Sequence, residues 1–249
     1  MKTKKILALI PARMGSSRFP GKPMAKINNK PMIEIVYNNV KKSKLLQATY
    51  VATCDEIIHD HIKSIGGNSV LTSNTHERAS DRCAEALLKI EKILKLKFDI
   101  VVMVQGDEPM IHPNMITEAT LPMFKNNQIK IVNLMGKIKD HKEFIDRGCI
   151  KVVTDLKSNA LYFSREPIPT NSKTNNITIQ KQICVIPFKR DFLLKYNKLK
   201  ETPLEKIESI DMLRVLENGI KVFMAKTKYY THAVDTPRDL KMVSKLIKS

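Results

Sequence analysis

Three short segments hold the side chains whose types and spacing could do chemistry. The first, IPARMGSSRFPGKP at residues 10–23, gathers Arg13, Arg18 and Lys22 with Ser16, Ser17, Gly15 and Gly21 in one loop. The glycines allow a tight turn and close approach of backbone N–H groups to a ligand, and the cations and hydroxyls suit a polyphosphate. It is not a Walker A loop, because five residues separate Gly15 from Gly21 and Pro23 stands where the magnesium-binding hydroxyl would be. A basic surface loop with two turn glycines stays open on this segment alone. The second, VQGDEP at residues 104–109, sets Asp107 directly after an apolar run. A carboxylate beside a triphosphate site is a natural Mg²⁺ ligand, since magnesium takes one or two carboxylates with phosphate oxygens and water. The same residues also read as an ordinary turn. The third, AVDTPRD at residues 233–239, pairs Thr236 as an N-cap with Pro237 at the first helical position, and Asp235 precedes them. By local pattern, Asp235 is part of a capping arrangement.

These residues need elements to position them. Residues 6–10 and 100–104 are short apolar runs of the kind buried on both faces of a parallel sheet. Residues 50–52 and 68–71 read as further strands. Helical patterns cover 31–42, 56–64 and 80–94, the last with Ala84, Leu87, Leu88, Glu91 and Leu94 at helical spacing. Strands alternating with helices predict an α/β, doubly wound, mostly parallel Rossmann-like sheet. In such sheets ligands sit beyond the carboxyl ends of the strands, which is where the first two segments fall. Past residue 126 the rhythm changes. Strands are expected at 129–135, 150–154, 161–164 and 182–188, making a β-rich insertion at roughly 129–190 within one domain. The polar run 171–176 reads as a mobile loop. Helices return at 204–217 and 237–248.

The formal net charge is +18, but only nine of the 43 basic residues are Arg, and the lysines are spread along the chain without interleaved aromatics. Small anionic substrates fit this better than nucleic acid. No apolar run reaches the length of a bilayer span. The basic start runs into Pro11 without a small-residue cleavage site, so it reads as a first strand and predicts a cytoplasmic protein. Cys54, Cys83, Cys149 and Cys184 are scattered without metal-ligand spacing. No Ser/His/Asp or Cys/His constellation is legible, which argues against a covalent enzyme intermediate.

Taken together, the motifs resemble those of the cytidylyltransferases that activate sugar acids as CMP conjugates, and most closely the 3-deoxy-manno-octulosonate (KDO) branch. The similarity rests on residues 10–23, KPM at 30–32, VQGDEP at 104–109, ALYFSR at 160–165, PLE…LR between 203 and 214, and VDTP at 234–237. It implies that CTP and a sugar acid react to give a CMP-sugar and pyrophosphate, for cell-surface polysaccharide synthesis. It assigns catalysis to Arg13, Lys22, Asp107 and Asp235, with Mg²⁺ on the two aspartates. It places the nucleotide against Ala12, Gly15, Ser17, Arg18, Ser80, Arg82 and Gln105, and the sugar against Arg165, Gln182, Glu205 and Met212. It also implies a homodimer built through the insertion. A related sugar nucleotidyltransferase or a non-catalytic nucleotide binder remain alternatives.

The departures fall mainly on the sugar side. Arg78 and Ala79 replace a Ser-Gly pair before Ser80, Asp81 and Arg82, whereas His76 matches. Gln182, Cys184 and Ile186 stand where the family pattern has His, Gly and Tyr, and Met212 where it has Gln or Glu. Exchanging several hydrogen-bonding groups in one pocket shifts preference among polar analogues. An amino-substituted octulosonate or a nonulosonate is therefore the expected acid, with KDO itself still open.

Overall fold

The computed structural model describes residues 4–16, 18–170 and 178–247, so the loop expected at 171–176 lies outside the described residues. β1 (Ile6–Ala12) leads through a 3-10 turn (Lys22–Met24) and a small hairpin, β2 (Lys26–Ile27) and β3 (Lys30–Pro31), into α1 (Met32–Lys41). β4 (Ala48–Thr53), α2 (Glu56–Ser64), β5 (Ser69–Leu71), α3 (Ala79–Leu94), β6 (Ile100–Val104) and α4 (Pro113–Lys125) follow. Next come β7 (Val132–Lys137), α5 (His141–Ile145), β8 (Lys151–Thr154), β9 (Ala160–Ser164), β10 (Gln180–Ile183) and β11 (Val185–Lys189). The chain closes with α6 (Arg190–Tyr196), α7 (Pro203–Glu208), α8 (Asp211–Glu217), β12 (Phe223–Lys226) and α9 (Pro237–Leu246).

The first sheet has the order β11-β6-β1-β4-β5, with β6, β1, β4 and β5 parallel and β11 antiparallel to β6. The chain runs from β1 outward to β5, then returns to the other side of β1 with β6. Strand order therefore reverses between β1 and β6, which opens a crevice at their carboxyl ends. β1 is buried on both faces. Ile6, Ala8 and Ile10 meet α1 and α4, whereas Leu7 and Leu9 meet α3 and the helices after β11. The mostly parallel, doubly wound expectation holds.

The second sheet has the order β12-β7-β10-β8-β9, and a bridge between Asn159 and Phe223 draws its two edges together. β12 comes from beyond the expected 129–190 span. The run 182–188 is not one strand. It divides at Cys184, so that β10 joins the second sheet and β11 the first. The helix expected at 204–217 is likewise two, because Ser209 adopts a left-handed conformation with φ 53° between α7 and α8. On α3, Leu88 and Leu94 face solvent, and Cys83, Ala86 and Ile90 complete the buried stripe. Glu91 is buried there by an ion pair to Arg190 at 2.7 Å.

Candidate active site

The basic loop leaves β1 and is folded back by backbone bonds. Met14 N–H donates to Asp55 Oδ2 at 2.8 Å and Gly21 N–H to the Met14 carbonyl at 3.0 Å. Gly21 has φ 72°, a left-handed conformation that favours glycine, and it starts the 3-10 turn that aims Lys22 into the crevice. The second loop leaves β6 beside it. A Cβ on Gly106 would sit 3.0 Å from the Pro11 carbonyl oxygen and 3.3 Å from Ile33 Cδ1, so any larger residue would push the two loops slightly apart. The third loop is pinned to the second, because Val234 N–H donates to the Asp107 carbonyl at 2.9 Å. Thr236 caps α9 as expected, but its capping-box partner is Asp239, not Asp235, and Asp239 also accepts from Asp235 N–H at 3.1 Å. The cap thus holds the Asp235 backbone without using its carboxylate, which turns to Lys22 and Arg18.

Both carboxylates converge on one ammonium. Lys22 Nζ lies 2.6 Å from Asp107 Oδ2 and 3.1 Å from Asp235 Oδ1, and Arg18 Nη2 lies 3.1 Å from the same Asp235 oxygen. Burial alone would lower the Lys22 pKa, but the charge and hydrogen bond of Asp107, with Asp235 adding to them, raise it above the usual lysine value. Lys22 is a charged stand-in at the point where two hard oxygen donors meet, a donor set that fits Mg²⁺ completed by phosphate oxygens and water. Arg13 is exposed at the cleft and makes no hydrogen bond or ion pair to the other described residues. Its guanidinium is available to a phosphate.

The cleft holds about 1230 Å³, room for a nucleotide and a second substrate together. Of the residues that the resemblance gives to the nucleotide, Ala12, Gly15, Arg18, Arg82 and Gln105 line this cleft. Ser17 lies outside the described residues. Arg82 is nearly buried and spends its guanidinium on the Thr72 hydroxyl at 2.6 Å and the Ser73 and His76 carbonyls, so it shapes the 72–76 loop. Ser80 does not reach the cleft; it is fully buried, with its hydroxyl donating to Asp211 Oδ2 at 3.4 Å. Arg78, the substituted position, bridges Glu201 at 2.9 Å and Asp211 at 3.4 Å.

Of the residues that the resemblance gives to the sugar, Arg165, Gln182 and Met212 line the cleft, as does Ile186. Arg165 is already engaged with the Glu208, Ser209 and Arg147 carbonyls, and Gln182 donates to Asn133 Oδ1 at 2.6 Å. Direct sugar contact by Glu205 is not what the structure places there. Glu205 is fully buried behind the wall, and both its oxygens are taken by Arg214 at 2.6 and 2.7 Å. Removing one partner of such a buried pair costs about 3–5 kcal/mol. Glu205→Gln is therefore expected to lower the denaturation midpoint substantially while the folded enzyme keeps its sugar KM. A large rise in sugar KM with unchanged stability would put Glu205 back in contact with substrate.

Local pattern gave no signal for several cleft residues, among them Glu108, Lys181 and Asp211. Burial, followed by the charge of Asp107, pushes Glu108 up to about 7. Lys181 is buried in an ion pair with Glu143. Among the described residues, no cluster of three His, Cys, Asp or Glu side chains could hold a metal unaided, and no helix is long and apolar enough to cross a membrane.

A parallel sheet with a phosphate-sized basic loop and paired carboxylates at its switch point defines a nucleotide-handling α/β enzyme. The chain belongs to the cytidylyltransferase family of nucleotidyltransferases, whose pattern matches residues 7–223. It is 41% identical over 254 residues to the 3-deoxy-manno-octulosonate cytidylyltransferase of Geobacter metallireducens, covering 97% of this chain and 98% of that one. The enzyme of the same description from Fusobacterium nucleatum is 39% identical over 244 residues, covering 98% and 97%. The structure of CMP:2-keto-3-deoxy-manno-octonic acid synthetase complexed with CTP superposes with a TM-score of 0.87 at 33% identity, covering 98% of each chain.

Proposed function

We propose that this chain transfers CMP from CTP to the anomeric hydroxyl of a 3-deoxy-octulosonate-type sugar acid and releases pyrophosphate. The observation that carries the reading is the meeting of Asp107 and Asp235 on Lys22 at the switch point, beside a basic loop whose Arg13 is unpaired among the described residues. Full-length similarity to enzymes described as acting on 3-deoxy-manno-octulosonate supports the acid.

The hydroxyl oxygen attacks the α-phosphorus in line as the bond to the bridging oxygen of pyrophosphate breaks. Such transfers ask the protein for positioning and charge neutralisation. Arg13, Arg18 and Lys22 hold the triphosphate, and the cations nearest the departing oxygens stabilise their growing charge. Asp107 and Asp235 would hold Mg²⁺, which when bound neutralises phosphate charge and acidifies the attacking hydroxyl. Gln105, at the mouth of β6, lines the same crevice and is available to the nucleotide. A homodimer would cover Leu156 and Leu161, which are exposed around the β8–β9 hairpin.

A second reading, an amino-substituted octulosonate or a nonulosonate, rests on Gln182, Ile186 and Met212 on the cleft wall. Pyrophosphate release from CTP and Mg²⁺, with KDO and these analogues run in parallel, separates the two. Rapid release with KDO is the expected result. Release with an analogue alone would move the specificity, and no release with any acid would overturn the activity.

A further inference from the structure

The two carboxylates reach one point only because two loops 128 positions apart in the sequence are held together. Among the described residues, the Asp107 side chain bonds to Lys22 alone, so its backbone must aim it. Building on the function proposed above, we infer that Glu108 is a positioning residue: through Thr231 and the Cys184 backbone, it fixes the Asp235 loop and the sugar-side sheet against Asp107. Glu108 and Thr231 are 4% and 2% exposed, and the Thr231 hydroxyl donates to Glu108 Oε2 at 2.8 Å. The other carboxylate oxygen faces Cys184 N–H at 3.5 Å, and the Cys184 carbonyl accepts from Gln105 N–H at 3.1 Å. Cys184 is the residue at which the chain passes from the second sheet to the first.

The turn itself does not require a buried carboxylate. Its main-chain bond, from Glu108 N–H to the Gln105 carbonyl at 3.3 Å, forms whatever the side chain is. Burying a carboxylate is costly, and apolar replacements are often neutral or better for stability. What Glu108 adds is side-chain acceptors for two segments that the β6 loop otherwise holds by backbone bonds, from Val234 N–H to the Asp107 carbonyl and from Gln105 N–H to the Cys184 carbonyl. The Thr231 end is braced from the sugar side as well, because Lys181 Nζ donates to the Thr231 carbonyl at 2.8 Å while paired with Glu143. Partners that orient metal-binding carboxylates typically contribute about 10–100-fold in metal affinity or activity.

The test removes the hydroxyl donor and leaves the volume. Thr231→Val is expected to raise the Mn²⁺ dissociation constant of the CTP complex, read by electron paramagnetic resonance, by about 10-fold or more. The Mg²⁺ half-saturation of pyrophosphate release should rise in step, while the KM for CTP at saturating Mg²⁺ changes little. Thr231→Ser, which restores the donor, should return both towards wild type. Glu108→Gln serves as the second probe, and the same weakening of Mn²⁺ is expected of it. Folded Thr231→Val and Glu108→Gln proteins with wild-type Mn²⁺ affinity would overturn the positioning role. The Mn²⁺ titration needs no turnover, so it decides this point even if the wild-type chain releases no pyrophosphate with KDO. That second result would count against the function instead.

Discussion

Asp107→Asn and Asp235→Asn are each expected to lower pyrophosphate release by about 10²-fold or more, the scale of losing one preorganised electrostatic contact at a reacting phosphate. The change is isosteric, and each backbone is held by bonds the side chain does not make: Val234 N–H on the Asp107 carbonyl, and Asp235 N–H on Asp239. Both variants should therefore fold. In each, Lys22 keeps one carboxylate partner, at 3.1 or 2.6 Å, so a buried cation is not left alone. The residues differ in what else they hold. Asp235 also takes Arg18 at 3.1 Å, whereas among the described residues the Asp107 side chain has Lys22 only. Asp235→Asn should accordingly weaken CTP binding less, since Arg18 is released to the phosphates. Initial rates against Mg²⁺ concentration check the assignment. A variant that retains activity with a wild-type Mg²⁺ dependence would remove its residue from the metal site.

Continuous apolar runs with clear stops were legible in the sequence. The strand at 100–104 and the helix at 56–64 fall where their patterns predict, since both faces of the strand and one face of the helix are buried. What the pattern hid was where a run changes partner. Residues 182–188 are uniformly strand-like, and nothing local marks Cys184 as the crossing between sheets. Ser209 is not a residue type that announces a left-handed turn, so two helices read as one. The pattern assigns no element between 110 and 126, where Pro122 inside α4 reads as a breaker. The site shows the same division. Loop glycines, cations and acids gave the phosphate side, but Lys22 meets its carboxylates across 85 and 213 positions, which no spacing rule reaches. Family resemblance supplied Asp235. It also assigned Ser80 and Glu205 contacts that burial withholds from them, because a motif position does not say whether its side chain faces the ligand or braces the wall.

Lys22→Met is expected to move two measurements in opposite directions. Turnover should fall by about 10²–10³-fold, because the cation that would meet the triphosphate and the departing pyrophosphate is gone. The affinity of the nucleotide-free chain for Mn²⁺ should instead rise. In the free protein the ammonium occupies the point shared by Asp107 and Asp235, and a hydrogen bond between charged groups is worth about 1.5–3 kcal/mol. A divalent cation arriving alone must displace those contacts, so removing the competitor should tighten its binding by about tenfold or more. In the intact enzyme the triphosphate would draw Lys22 away from the carboxylates, so metal and nucleotide would favour each other's binding. Such coupling is reciprocal by necessity. Methionine keeps the apolar length of the stem in a position only 13% exposed, so folding should survive the change. Calorimetric or resonance titration of Mn²⁺ against the free variant, beside its steady-state rate, reads both effects. If turnover drops while Mn²⁺ affinity stays at the wild-type value, Lys22 acts on the phosphates alone and the carboxylate contact is incidental. If turnover is unchanged, Lys22 has no part in the reaction, and the phosphate cradle would have to rest on Arg13 and Arg18.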